Sequence, residues 1–306
     1  METNDFFARE NDCSLRFCEA GSCFHICSQE NLPVTFHNED EFITAMNVMA
    51  LVAYQFPDVL IYTFEIMSNH FHIGASGKKD RIKCFADAFV SRLASHPELR
   101  ESRSVILKMT PKIHQISDLE SLRNVIAYIN RNGSVVNPDE NVFTYRWGAN
   151  RYFFNREARI RYIESGHVAG QVEKRKLTRS HALDTEKRIV VLDGYISPLC
   201  YCKISDAEGF FRNSRQYFYK VSKNVESQKE IAKIIGESVF YTDEDLISLV
   251  ISTCARKYNI SRPAELPASA KIELAKTLHF DYNATNKQIS RLLKMSLETV
   301  SSLFPG

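Results

Sequence analysis

Two histidines separated by one residue, His70 and His72, lie in the run Ser68-Asn-His-Phe-His-Ile-Gly74. In an extended strand side chains alternate faces, so both imidazoles point the same way, about 7 Å apart, while Phe71 and Ile73 point to the other face. Two imidazoles so placed can chelate one metal ion. Taken alone, the pair is more economically read as two polar residues on a solvated strand. Tyr128 is the second residue of chemical interest, because a phenol can act as a nucleophile and form a covalent intermediate. It falls on a helical pattern whose apolar arc is Leu119, Leu122, Val125, Ile126 and Ile129, and it lies well off the centre of that arc. Tyr128 is therefore not expected in the core, and Asn132, four residues on, stacks beside it. A surface tyrosine and a helix-end asparagine satisfy the same geometry.

The elements that must position these residues read as follows. Ser22 to Ser28 is a strand and Glu39 to Tyr54 a helix; Val59 to Ile66 and His70 to Ala75 form a hairpin across the turn at Ser68 and Asn69. Lys79 to Ala94 repeats apolar residues at helical period, Val105 to Met109 is a short strand candidate, and a last helix runs from Asp118 to Asn132. Ser117 with Glu120 predicts a capping box there, and Gly133 a left-handed exit. The order gives an α+β fold, a ferredoxin-like βαββαβ sheet domain with one further helix.

Together these segments resemble a known family. The hairpin Glu65-Ile-Met-Ser-Asn-His-Phe-His-Ile-Gly74, followed by Val125-Ile-Ala-Tyr-Ile-Asn-Arg-Asn132, is similar to the HUH single-tyrosine transposases, and within them the repeat-associated tyrosine transposases. Phe24-His-Ile-Cys-Ser28, Asn38-Glu-Asp-Glu-Phe42 and Tyr145-Arg-Trp-Gly148 extend the resemblance over roughly residues 22 to 153. It departs at Gly133, where proline usually follows the asparagine, and at Gly148-Ala149, where serines are common. The resemblance implies a metal-dependent enzyme that nicks single-stranded DNA and transfers the strand. Tyr128 would be the nucleophile; His70, His72 and Asn132 would hold Mg2+ or Mn2+; the product would be a phosphotyrosine link to the DNA 5′ end. It further implies a homodimer working on hairpin-forming single strands, with Lys78, Lys79 and Arg131 among the DNA contacts. The rival reading is a catalytically idle protein that binds DNA hairpins or regulates a promoter.

Composition is compatible with this. The formal net charge is only +2, but residues 1 to 58 carry ten acidic and two basic side chains, whereas 151 to 233 carry seventeen basic against ten acidic. A basic middle suggests a polyanionic partner, although a charge run is also an ordinary solvated face. Three parts are expected: 1–153, the nuclease domain; 154–240, a basic region whose fold the sequence does not reveal; and 241–306, a helical domain. In the last, Ala268 to Leu278, Asn286 to Leu293 and Ser296 to Phe304 resemble a helix-turn-helix with Ser296 as cap. Its core would be Ile289, Leu292, Leu293, Leu297, Val300 and Leu303, leaving Lys287, Arg291, Lys294 and Thr299 for DNA; an ordinary helical pair is the alternative. Cys13, Cys18, Cys23 and Cys27 lack paired CxxC spacing, so buried thiols are favoured over zinc. No long apolar run suggests a membrane segment, and the acidic start does not read as a signal peptide, so a cytoplasmic, DNA-associated protein is expected.

Overall fold

The computed structural model describes residues 17, 21–29, 31–136, 142–184, 187–221, 243–260 and 262–304. The chain divides into two compact units, residues 1–134 with 139–221 and residues 135–138 with 222–306. It is an α+β protein.

The first unit is built on four antiparallel strands: β1 Cys23–Cys27, β2 Leu60–Ile66, β3 Phe71–Ser76 and β4 Lys112–Ile116, in the order β2-β3-β1-β4. Helix α1 Glu39–Gln55 links β1 to β2 and helix α2 Lys79–Ser95 follows β3. Asn38 starts α1 by accepting the Glu41 amide at 3.0 Å, satisfying one donor that a helix start leaves open. The sheet face bearing Phe24, Ile26, Phe71 and Ile73 is buried, and Phe71 meets Phe89 of α2 edge-on at 5.1 Å. Helix α3 Leu119–Val136 lies against the opposite face, where Gly74 lets the Ile129 side chain come close.

The basic region expected over 154–240 is not set apart: its residues 154 to 221 share this unit with the sheet. They form α4 Arg156–Ser165, α5 Gln171–Thr178, α6 Ile204–Gly209, α7 Ser214–Val221 and a small sheet of β5 His167–Val168, β6 Val190–Leu192 and β7 Tyr195–Ile196. The small sheet packs on α1 through Ala50, Leu51, Ile189, Val191 and Ile196, and the Ile196 amide donates to Asn47 Oδ1 at 2.9 Å. Helix α1 is thus covered on two sides, which is why residues 44 to 53 are buried without a break.

Three local expectations are corrected. Val105 to Met109 is not a strand: Arg103–Ile106 is a helical turn, in which the Ile106 amide bonds the Ser102 carbonyl at 2.9 Å. The strand lies later, at β4, an edge strand whose charged and half-exposed residues hide it from a hydrophobic scan. The cap of α3 is Asp118, which accepts the Ser121 amide at 2.8 Å, while Ser117 donates to Asp118. Gly133 does not end α3 either, because the helix continues to Val136 and this glycine is not among those with positive φ. Its lack of a side chain serves packing instead, since a Cβ there would overlap the Tyr145 ring. Gly133→Ala is accordingly expected to cost about 1–3 kcal/mol, read as a lowered urea midpoint with unchanged slope.

Tyr145 belongs to a segment that protects the outer edge of β2. The Ile66 amide bonds the Trp147 carbonyl at 2.8 Å, the Ala149 amide bonds Phe64 at 3.0 Å, and Tyr145 Oη donates to the Ile66 carbonyl at 2.6 Å. Gly148 is required here because a Cβ would run into the Phe64 carbonyl.

The second unit contains α8 Asp243–Tyr258, α9 Ala268–Tyr282, α10 Asn286–Leu293 and α11 Leu297–Leu303. Helix α8 was not anticipated. Thr285 and Gln288 form a capping box on α10, and Ser296 caps α11 by accepting the Thr299 amide at 3.1 Å. Ile289, Leu292, Leu293 and Val300 join one core with Leu246, Leu274 and Phe304, and Leu303 packs partly against it. Leu297 is instead 44% exposed, since the first residue of α11 faces away. Lys294 closes α10 at φ 52°, a left-handed conformation that glycine adopts at lower cost. Lys294→Gly should therefore stabilise this unit, by up to about 1 kcal/mol in urea denaturation.

Candidate functional site

The histidine pair and the tyrosine meet on the sheet face beneath α3. In antiparallel sheets, directly opposed residues share a face, and β3 pairs with β1 so that Cys27 faces His72 and His25 faces Gly74. Across β1 on its other side, His25 faces His114 of β4; across β3, Glu65 of β2 faces His72. One face therefore carries Glu65, His72, His25 and His114 in a row across four strands. His70 stands at the mouth of the hairpin, its Nδ1 2.7 Å from Asn69 Oδ1.

The rings are close together. His70 and His72 have centroids 4.9 Å apart at 89°, and His72 and His25 lie at 5.4 Å and 10°, with His25 Nε2 3.3 Å from His72 Nδ1. His114 continues the row 6.3 Å from His25. Tyr128 stands edge-on to both central imidazoles, 5.6 Å from His72 and 6.2 Å from His25.

Tyr128 is only 3% exposed, which corrects the expectation that it lies outside the core. Its ring reaches the sheet and packs on His72 and His25, while a second layer covers the outer side of α3. Arg123 Nε donates to the Phe210 carbonyl at 2.6 Å, Asn130 Nδ2 donates to Tyr217 Oη at 3.0 Å, and Lys220 pairs with Glu120. Asn130 also accepts from Thr63 of β2, tying the helix to the sheet. With layers on both sides, a helix needs more than one apolar stripe.

Burial sets the electrostatics. Desolvation pushes His25 down to about 3 and His70 down to about 4, and it holds His72 well below the usual histidine range, with His70 and His25 adding to the effect. Glu65, 0% exposed, is pushed well above the usual carboxyl range by burial, although its Oε2 accepts the Gly133 amide at 2.7 Å. The face thus carries imidazoles held neutral at neutral pH, beside a carboxyl that burial biases toward its protonated form. Neutral imidazole is the form that binds metals.

Asn132, one turn beyond Tyr128, is partly buried and its Nδ2 has no hydrogen-bond partner. Among the described residues no group of three or more His, Cys, Asp or Glu is arranged to hold a metal ion. A three-ligand site at His70 and His72 would draw its third donor from another residue type, such as the Asn132 amide.

The remaining expected residues are scattered. Lys78 and Lys79 are exposed, but they follow the far end of β3, roughly 20 Å of extended chain from His72. Arg131 is 8% exposed rather than set on an open surface. Lys287, Arg291, Lys294 and Thr299 are exposed on the second unit, and Arg291 pairs with Asp243 at 2.9 Å. Cys23 and Cys27 are buried in β1, while Cys13 and Cys18 lie outside the described residues.

His25, His114 and Glu65 were not anticipated as members of this face. For His25 and Glu65 the position in the strand was legible but the pairing register that aligns the strands was not, and the strand carrying His114 was itself not anticipated. No protein-family model, no curated protein and no solved structure matches the chain. Among the described residues, no helix is long and apolar enough to cross a membrane.

Proposed function

We propose that this chain is a metal-dependent enzyme that nicks and rejoins single-stranded DNA through a covalent phosphotyrosine at Tyr128. One observation carries the reading: the histidine pair and the tyrosine, far apart in sequence, converge on one sheet face with His72 5.6 Å from Tyr128. We read the four-stranded sheet as a ferredoxin-like domain, a reading its order β2-β3-β1-β4 supports, and α10 with α11 as a helix-turn-helix. Lys287, Arg291, Lys294 and Thr299 would meet duplex DNA there, and Lys78 and Lys79 phosphates of the single strand. We further propose a homodimer acting on hairpin-forming strands in the cytoplasm.

The residues suit Mg2+ or Mn2+ in one respect. His70 and His72 are buried at right angles and held neutral, so they would hold the ion, with the Asn132 amide oxygen, one helical turn beyond Tyr128, as the third ligand. A bound divalent ion neutralises the charge of the scissile phosphate and orients it for in-line displacement. The rest falls to the chain. Tyr128 Oη attacks phosphorus and its proton leaves to solvent; the bond from phosphorus to the 3′ oxygen breaks, and that oxygen takes up a proton as a 3′ hydroxyl. The 5′ phosphate is then esterified to Tyr128, and attack by a 3′ hydroxyl reverses the exchange without external energy.

The burial of Tyr128 favours the rival reading, a catalytically idle protein that binds DNA hairpins or regulates a promoter, because a shielded phenol is poorly placed to meet a phosphate. Incubation with labelled hairpin oligonucleotides and Mn2+, followed by denaturing electrophoresis, separates the two. A denaturant-stable protein–DNA band supports the enzyme, and tight binding without one supports the rival. His70→Ala and His72→Ala are each expected to lower adduct yield at least about 100-fold while leaving hairpin affinity within a few-fold.

A further inference from the structure

The contact between His25 and His72 carries more than packing. Their planes differ by 10°, and the centroid separation of 5.4 Å exceeds the Nε2 to Nδ1 distance of 3.3 Å by about one ring width. The two rings are therefore nearly coplanar and meet edge to edge, with the short contact in the plane of both imidazoles, where the lone pair and N–H lie. Both side chains are 0% exposed. His25 Nδ1 has no hydrogen-bond partner.

We propose that His25 is a positioning residue for a metal ion at His72, accepting the His72 Nδ1–H at its own Nε2 and so leaving the His72 Nε2 lone pair directed at the ion. This rests on the metal-dependent reading above. A neutral imidazole has one N–H and one lone pair, so the contact has only two arrangements. If His25 Nε2 donates, His72 carries its proton on Nε2 and cannot ligate through that atom. If His72 Nδ1 donates, Nε2 is the ligand and the His25 proton sits on Nδ1. Ion binding selects the second arrangement, moving each proton from Nε2 to Nδ1 on its own ring with no net proton release. Metal-bound histidines commonly direct their other N–H at such a partner, which fixes ring and tautomer. Here the partner is a second imidazole on the neighbouring strand, oriented by the β1–β3 register and by the Tyr128 ring standing edge-on to both.

The full chain, labelled with 15N-histidine, tests this without any DNA. Two-bond nitrogen–proton couplings report the tautomer of each ring, and Mg2+ titration is expected to shift His72 to, or hold it in, the Nδ1–H form. In parallel, Mn2+ affinity is measured by electron paramagnetic resonance for wild type, His25→Phe and His25→Gln. His25→Phe should weaken Mn2+ binding about 10–100-fold. His25→Gln, whose amide oxygen can accept the same hydrogen bond, should retain affinity within a few-fold and guards against a folding defect in the phenylalanine variant. Equal Mn2+ binding by wild type and His25→Phe overturns the proposal while leaving the metal site standing. So does a loss in His25→Gln as large as in the phenylalanine variant. Absence of Mn2+ binding by the wild-type chain overturns the metal-dependent reading itself, and this proposal with it.

Discussion

Tyr128→Phe is expected to abolish covalent attachment to single-stranded DNA, a loss of at least about 1,000-fold in adduct yield, while the protein stays folded and still binds the oligonucleotide. The substitution removes one oxygen and keeps the ring. The ring is what packs edge-on against His72 and His25, so the contacts at 5.6 and 6.2 Å survive in phenylalanine. A fall in stability of several kcal/mol would indicate instead that the hydroxyl holds the core together. An adduct of undiminished yield would show that another residue attacks.

The second large effect is on acid stability. His25 at about 3, His70 at about 4 and His72 well below its usual range all owe their shifts first to burial. Their folded-state values lie below that of an unfolded imidazole near 6.5, so below that pH the unfolded chain binds more protons, and stability is lost as pH falls toward 4. The slope is about 1.4 kcal/mol per pH unit for each histidine. Glu65 acts in the opposite sense. Its value is raised by burial, so it contributes stability at low pH that is lost as pH rises above the unfolded carboxyl value, and acidification restores it. One raised carboxyl opposes three lowered histidines, so the net effect between pH 7 and pH 5 is a loss of stability. Urea titrations at pH 7, 6 and 5 measure it. Glu65→Gln should raise stability at pH 7 and steepen the acid loss, since the restoring group is gone. A flat profile would mean that these imidazoles are solvated.

How much of this was legible in the sequence depended on range. The histidine pair is local: alternation along one strand puts both imidazoles on one face, and Phe71 and Ile73 do pack on the other. The helix carrying Tyr128 was legible from its period. Its burial was not, because the ring packs edge-on against His72 and His25, which long-range strand pairing brings together beneath α3. His25 and Glu65 joined the site through strand register, which one strand's residues do not encode. Gly133 was misread for a related reason. A glycine after a helical pattern suggests a left-handed exit, yet the Tyr145 ring, brought in by the segment covering β2, needs the space its missing side chain leaves. Val105 to Met109 misled because β-branched residues also fill a buried helical turn, as Ile106 does.

Peptide mapping tests the central claim most directly. The protein is incubated with a hairpin oligonucleotide and Mn2+, digested with protease and nuclease, and the modified peptide is sequenced by mass spectrometry. A nucleotide 5′-phosphate esterified to Tyr128 is the predicted result; an unmodified Tyr128 peptide with all bound DNA released by denaturant, or a nucleotide on a different residue, would contradict it.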